Sequence, residues 1–213
     1  FVIAQSNLPE DSPLASSVND LLNASGEAPD AVEFSAADSV MDFARNAGAY
    51  SMKQITDFRK VDTAELDNPP AEDWLNWRRT PDGHGHSPLT QISKDNVSRL
   101  SLDWSMAMYA GSNQPTPLVR DGVMFLTHPH NKIQAIEAAT GELIWEYQYA
   151  FPPAAKLLGG PTRNIALWQD RLFLATYDAA LVAIDAASGK QLWRTEKADY
   201  RDAYTHSAGP LVA

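Results

Sequence analysis

The chain of 213 residues contains no cysteine. This absence excludes a disulfide, a thiolate metal site and a thiol nucleophile. It does not fix the compartment, because exported and cytosolic chains both manage without cysteine. No apolar run approaches the roughly 20 residues of a membrane-spanning helix. Basic residues are also scarce: the net charge is −10 and the isoelectric point is near 4.8. This charge argues against nucleic acid or an anionic membrane as the main partner, since both attract basic surfaces.

The first residues, Phe1-Val-Ile-Ala-Gln5, allow two interpretations. Val2 and Ala4 occupy the small-residue positions of a signal-peptide cleavage site before Gln5, which predicts export to the periplasm. The alternative is that four apolar residues carry no targeting signal.

An acidic stretch precedes the rest of the chain. Residues 1–50 hold eight acidic residues and a single basic one, Arg45. This composition predicts a loosely ordered leader over residues 1–60 with one short helix, capped by Ser35 and ended by Gly48. A second short helix is predicted to begin at Asp62 or Thr63 and to stop at Asn68-Pro69-Pro70.

Two segments of the chain repeat each other at an offset of 48 residues. Ala135-Ile-Glu-Ala-Ala-Thr-Gly-Glu-Leu-Ile-Trp145 returns as Ala183-Ile-Asp-Ala-Ala-Ser-Gly-Lys-Gln-Leu-Trp193. The shared pattern is A-x-[DE]-A-x-[TS]-G-x-x-x-W. A period of this size is typical of units that stack or surround an axis.

Each repeat unit contains signals for four short strands. In the first copy, strand runs begin at Val123, Lys132 and Glu142, separated by turns at Asp121-Gly122 and Thr140-Gly141. The second copy runs in step, and Gly209-Pro-Leu-Val212 resembles the first strand of a third copy. This length and content predict an all-β fold, a partial β-propeller of about two and a half four-stranded blades over residues 61–213. The repeated tryptophan is expected to pack between neighbouring blades. Because two and a half blades leave a ring open, the chain is expected to be a fragment or to need a second chain.

The repeat resembles the tryptophan-docking motif of pyrroloquinoline quinone (PQQ)-dependent alcohol dehydrogenases. The likeness extends to the lead-in segments Trp74-Leu-Asn-Trp-Arg-Arg79 and Asp95-Asn-Val-Ser-Arg-Leu-Ser-Leu-Asp-Trp104, and it covers about residues 68–213. It implies an eight-bladed propeller with PQQ on its axis, together with calcium or a lanthanide. It also implies periplasmic oxidation of an alcohol, sugar or polyol, with electrons passed to a cytochrome c or a quinone.

The resemblance implies three cofactor-binding residues in this chain. Arg163 matches the arginine that lies against the quinone, and a guanidinium suits a polyanionic ligand. Gln114 stands where methanol-oxidising members carry Glu, a departure that is similar to the sorbose and polyol oxidisers. Ser207 matches a hydroxyl that bonds a PQQ carboxylate. The adjacent cysteines of many members are absent, and the family's catalytic Asp and metal ligands correspond to positions beyond residue 213. The resemblance therefore assigns no catalytic or metal-binding residue to this chain.

Plainer interpretations stand beside these assignments. Arg163 can be a surface residue beside a strand, Gln114 a turn residue, and Ser207 a partner of its own backbone. His84-Gly-His86 and His128-Pro-His130 have a spacing that metal sites use, but no further ligand is signalled nearby, so structural histidines are favoured. Asp178 is interpreted as a turn residue. The alternative function is a non-catalytic propeller that binds other proteins.

Overall fold

The structure, a computed structural model, describes residues 54–152, 155, 160–206 and 208–212, together with the backbone of Tyr50–Ser51. The predicted helix between Ser35 and Gly48 lies outside the described residues. Within them the chain forms one short helix, two 3-10 turns and nine strands. The helix is α1 (Thr63–Asp67), and the 3-10 turns are Val97–Arg99 and Tyr200–Asp202. The strands are β1 (Tyr50–Ser51), β2 (Leu118–Arg120), β3 (Val123–His128), β4 (Lys132–Glu137), β5 (Leu143–Gln148), β6 (Ala166–Trp168), β7 (Arg171–Ala175), β8 (Ala180–Asp185) and β9 (Gln191–Glu196).

The strands form two antiparallel sheets of the same design. Sheet 1 has the order β1-β5-β4-β3-β2, and sheet 2 has the order β6-β7-β8-β9. Both sheets carry a register shift in the third strand of their meander, between Ala135 and Ile136 and between Ala183 and Ile184. The predicted all-β chain with four strands in each repeat is therefore confirmed. The two-residue strand β1, which pairs with Trp145 and Glu146 at the edge of sheet 1, is an addition to that pattern.

The repeated tryptophans connect one unit to the next. Trp145 of sheet 1 is fully buried, and its indole N–H donates to the carbonyl of Ala186 in sheet 2 at 3.1 Å. Its ring covers Gly189, whose left-handed φ of +71° closes the β8–β9 turn. Trp104 packs in the same way on Gly141, and its indole donates to Ala138 at 3.1 Å. The predicted packing between units is therefore confirmed for Trp145, whereas Trp193 of the second copy is 38% exposed.

The lead-in segment is fixed to sheet 1 by a buried arginine. The Arg120 side chain is fully buried, and its guanidinium donates to Asp73 at 2.7 Å and to both carboxylate oxygens of Glu65 at 2.9 Å. It also donates to the carbonyls of Arg59 and Lys60, each at 3.1 Å. A buried guanidinium with this many acceptors is stable only while the partners stay in place. These contacts therefore hold residues 59–73 against sheet 1.

The two ends of the sheets are covered differently. The lower end holds the turns at 121–122, 169–170 and 186–189. There the lead-in segment packs against both sheets. Val61 exchanges backbone hydrogen bonds with Gln169, and the backbone N–H of Ile55 donates to the carbonyl of Ala187 at 3.0 Å. The upper end is the opposite one. It holds the turns at 129–131 and 176–179 and the segments that lead into β2 and β6.

Helix α1 confirms the predicted start and stop. Asp62 caps it, the backbone N–H of Glu65 donates to Asp62 at 2.8 Å, and the helix ends before Asn68. The strand expected at Gly209-Pro-Leu-Val212 is not formed: residues 208–212 contain no strand, because none of the described strands pairs with them. The predicted leader boundary at residue 60 stays a prediction, although residues 54–60 contact both sheets.

Among the described helices, none has the length and apolarity to cross a membrane.

Candidate functional site

Two of the three predicted cofactor-binding residues lie at the upper end of the sheets. Gln114 is exposed in the loop before β2, and its amide lies 3.5 Å from the Ser112 hydroxyl. Arg163 is half-buried in the segment that leads into β6. Because β2 and β6 are equivalent strands at the 48-residue offset, Gln114 corresponds to Thr162, the residue just before Arg163.

Ser207, the third predicted residue, lies outside the described residues. The chain just after it is described, and Gly209 packs tightly on Asn164: a Cβ atom at Gly209 would lie 2.3 Å from the Asn164 carbonyl oxygen. The structure therefore brings the segment that follows Ser207 against the residue that follows Arg163.

Buried hydrogen bonds hold the backbone around Arg163. The Thr127 hydroxyl on β3 lies 2.8 Å from the carbonyl of Thr162 and 3.1 Å from that of Arg163. The backbone N–H and side-chain amide of Asn131 donate to the Thr162 hydroxyl at 3.0 and 3.2 Å. The Tyr177 hydroxyl donates to the carbonyl of Gly160, at the start of the same segment. Sequence reasoning missed these residues, because their partners lie about 15 to 46 positions away along the chain.

Asp178 lies in the β7–β8 turn, as predicted, but it is fully buried in a charged cluster. It accepts from the hydroxyl of Tyr149 at 2.8 Å, from Arg194 at 3.0 Å and from the hydroxyl of Thr176. Burial and the hydrogen bond to Asp178 outweigh the opposing effect of Arg194 and raise the pKa of Tyr149 to about 12. Tyr149 is therefore a neutral hydrogen-bond donor at physiological pH, and this cluster stabilises the turn.

A second polar cluster lies on the face of sheet 1 that points away from sheet 2. Glu146 accepts hydrogen bonds from Lys132, from the Tyr109 hydroxyl at 2.6 Å and from Gln134 at 2.8 Å. Burial opposes ionisation of Glu146, but these hydrogen bonds outweigh it and hold its pKa below the usual range. The Lys132 ammonium also lies 3.9 Å from the centre of the Tyr109 ring. All the polar groups of Glu146 are satisfied, which indicates a structural cluster rather than a reactive carboxylate.

The histidines differ in their surroundings. His128 is fully buried at the end of β3, whereas His130 is exposed in the adjoining turn. His84 is exposed beside Asp82, at 3.0 Å. In the part of the chain that the structure describes, no three His, Asp or Glu side chains are arranged to hold a metal ion.

The donors at the upper end fit a polyanionic ligand. A cavity of about 420 Å³ lies there beside sheet 2, and the polar side chains that line it are those of Lys197, Thr205 and His206. The Nδ1 atom of His206 is buried without a hydrogen-bond partner among the described residues. Arg163 and Gln114 lie at the same end of the sheets but are not among the described residues that line this cavity. Like the groups that do line it, they carry hydrogen-bond donors of the kind that carboxylates and quinone carbonyls bind.

Residues 74–206 match a protein-family model that is described as the glucose/ethanol/alcohol dehydrogenase β-propeller domain. The quinohemoprotein alcohol dehydrogenase ADH-IIG of Pseudomonas putida is 34% identical over 147 residues, which are 65% of this chain and 20% of that protein. The 1-butanol dehydrogenase (quinone) of Thauera butanivorans is 36% identical over 135 residues, 60% of this chain and 21% of that protein. The chain thus spans about one fifth of the length of these relatives.

Solved structures show the same likeness. The quinohemoprotein alcohol dehydrogenase ADHIIG of Pseudomonas putida superimposes with a TM-score of 0.65 and 32% identity, covering 74% of this chain and 24% of that one. A europium-containing methanol dehydrogenase superimposes with a TM-score of 0.63 and 26% identity, covering 70% of this chain and 27% of that one. The predicted partial propeller and the family resemblance are confirmed, whereas the nearer likeness to sorbose and polyol oxidisers stays a prediction.

Proposed function

The chain belongs to the PQQ-dependent alcohol dehydrogenase family, and we propose that it supplies the N-terminal blades of a periplasmic enzyme that oxidises an alcohol, sugar or polyol. The observation that carries this proposal is the position of Arg163. It lies inside the family-matched region, at the upper end of the sheets, on backbone that Thr127 holds through two carbonyls. The names of the relatives support alcohol oxidation rather than the alternative of a protein-binding propeller.

When bound, PQQ supplies the two-electron acceptor for oxidation of the substrate carbinol. Three residues of this chain would help to hold it. The Arg163 guanidinium would neutralise a carboxylate or donate to a quinone carbonyl, and the Gln114 amide and Ser207 hydroxyl would contribute neutral hydrogen bonds. Calcium or a lanthanide, a catalytic carboxylate and the contacts to a cytochrome c or quinone acceptor come from outside this chain. Residues 1–60 are assigned to an acidic leader in this proposal, and the last of them, residues 54–60, contact both sheets.

An activity assay on the full-length protein that contains this chain tests the proposal. The cofactor-free protein is reconstituted with PQQ and either calcium or a lanthanide, and reduction of an artificial dye is followed with ethanol, 1-butanol, sorbitol or glucose. We expect activity that requires PQQ and at least one of these substrates. A reconstituted protein that reduces no dye with any of them would contradict the proposed function.

A further inference from the structure

We propose that Thr127 and Asn131 are positioning residues for Arg163: their side chains fix the segment that carries this guanidinium before the cofactor arrives. The inference rests on the proposed function, since it concerns the same site. Neither residue was singled out by the sequence motif, and neither is assigned a direct contact with the cofactor.

Thr127 acts on the backbone of Arg163 itself. Its side chain is 1% exposed on the face of β3 that packs against sheet 2. Its hydroxyl lies within hydrogen-bond distance of the carbonyls of Thr162 and Arg163, at 2.8 and 3.1 Å. These carbonyls precede β6 and take no part in the backbone hydrogen bonds that pair β6 with β7. The Thr127 hydroxyl therefore provides the donor that a neighbouring strand would provide within a sheet.

Asn131 joins the two sheets at the same place. It has a left-handed φ of +55°, a conformation that asparagine tolerates better than most residues. Its N–H groups hold the Thr162 hydroxyl, while its side-chain oxygen accepts from the backbone N–H of Tyr177 at 2.9 Å. On the other side of Arg163, Gly209 packs on Asn164. The residues on both sides of the guanidinium are thus held by different parts of the fold.

The second repeat has neither of these polar side chains. At the 48-residue offset, Thr127 corresponds to Ala175, and Asn131 corresponds to Ala179, which adopts nearly the same left-handed φ of +57°. Sheet 2 forms the same strands and turns with alanine at both places. In sheet 1 the hydroxyl and the amide bond the segment around Arg163, whereas the buried Thr176 and Asp178 hold the equivalent turn of sheet 2. A preorganised arginine binds its ligand more tightly, because the segment that carries it loses little conformational entropy when the ligand binds.

The test compares PQQ affinity with thermal stability in the cofactor-free, full-length protein. Affinity is measured by quenching of tryptophan fluorescence during titration with PQQ. The variants are Thr127→Val, Thr127→Ser, Asn131→Ala and Arg163→Ala, with the double variant Thr127→Val/Arg163→Ala. Thr176→Val is the matched control, because Thr176 is a fully buried threonine whose hydroxyl, among the described residues, bonds Asp178 and Ala180 within its own turn.

Loss of one hydrogen bond that holds the segment is expected to weaken PQQ binding roughly three- to tenfold in Thr127→Val and in Asn131→Ala. Thr127→Ser keeps the hydroxyl and should stay within about twofold of the parent, as should Thr176→Val even though its melting temperature falls. The double variant should bind no more weakly than Arg163→Ala, because Thr127 acts through Arg163.

The outcomes separate the two proposals. If Arg163→Ala weakens binding while Thr127→Val and Asn131→Ala bind like the parent, the positioning role is wrong and the proposed function stands. The positioning role is also wrong if the double variant binds PQQ more weakly than Arg163→Ala by the same fold-change that Thr127→Val shows on its own. If the parent protein fails to bind PQQ, or if Arg163→Ala binds equally well, the assignment of the site fails and the positioning role fails with it.

Discussion

At the scale of single residues, buried polar side chains decide which segments this protein holds in place. Arg120 is fully buried among five acceptors, and Asp178 is fully buried among three donors. Removing one partner of such a group leaves the others desolvated without compensation, which costs about 3–5 kcal/mol for a buried ion pair. The sequence did not predict either cluster, because Arg120 meets partners 47 to 61 residues away. Only the tertiary fold brings those groups together.

His128 is a buried residue of a different kind. It is fully buried, and within the described structure neither of its ring nitrogens has a hydrogen-bond partner. Its neighbours include the edge-on ring of Tyr109, whose centre is 5.1 Å away, and the charged pair of Lys132 and Glu146. Burial lowers the pKa of His128 and outweighs the opposing effects of the nearby Gln134 amide and of Glu146. The folded protein therefore holds this imidazole neutral.

This lowered pKa predicts a pH-dependent stability. Below the unfolded-state pKa of about 6.5, the unfolded chain binds a proton at this histidine that the folded chain does not, so the free energy of unfolding falls by up to about 1.4 kcal/mol per pH unit. Above that pH the contribution is constant. Glu146 does not titrate in this window, because its pKa is already held below its usual range. We expect the melting temperature of the parent to fall more steeply between pH 6.5 and 5 than that of His128→Phe.

The comparison with His128→Phe isolates this residue, because the other four histidines are present in both proteins. Melting curves recorded from pH 7.5 to 5 provide the measurement. Parallel pH profiles for the two proteins would show that His128 titrates alike in the folded and unfolded states.

At the scale of strands and turns, local sequence carries most of the architecture. The runs that begin at Val123 and Lys132 were predicted correctly because alternation and the Asp121-Gly122 turn are encoded within a few residues. The capping box of α1 is equally local. Strand β1 was missed, since two residues at the edge of β5 give no alternating pattern to detect. The bridge between Val61 and Gln169 was missed for the same reason.

The contact between Trp145 and Gly189 makes the clearest prediction at this scale. Gly122 and Gly189 both have a left-handed φ, of +76° and +71°, so alanine at either place costs about 1–2 kcal/mol in backbone strain. An added Cβ at Gly122 meets nothing within 4 Å, whereas at Gly189 it would lie 2.7 Å from the Trp145 ring. We expect Gly189→Ala to be less stable than Gly122→Ala by a further 1–3 kcal/mol, roughly, from overpacking.

Calorimetric melting of both variants measures the difference. In a Trp145→Ala background the overpacking term should disappear, and the two glycine substitutions should then cost the same. If Gly189→Ala and Gly122→Ala lower the free energy of unfolding by the same amount in the parent background, the Trp145 indole does not pack tightly on the β8–β9 turn.

At the scale of the whole molecule, the described part of this chain forms two sheets of the propeller type. It spans about one fifth of the length of its dehydrogenase relatives. Leu192 and Trp193 on β9 are 48% and 38% exposed, although the equivalent Trp145 is fully buried against the next sheet. The family could be predicted from the repeat and the lead-in segments. The proposed cofactor-binding residues come only from that resemblance and stay a prediction. The hydrogen bonds around Arg163 could not be predicted, because they come from β3 and from the turns of both sheets.

The central claim is that Arg163 helps to bind PQQ, and an equilibrium titration of the cofactor-free, full-length protein with PQQ tests it most directly. Arg171→Ala is the matched control, because Arg171 is an exposed arginine paired with Asp170 at the lower end of the sheets. Loss of a charge-assisted contact predicts a dissociation constant roughly 10- to 100-fold higher for Arg163→Ala. Arg171→Ala should match the parent. Equal PQQ affinity for the parent and Arg163→Ala would contradict the account.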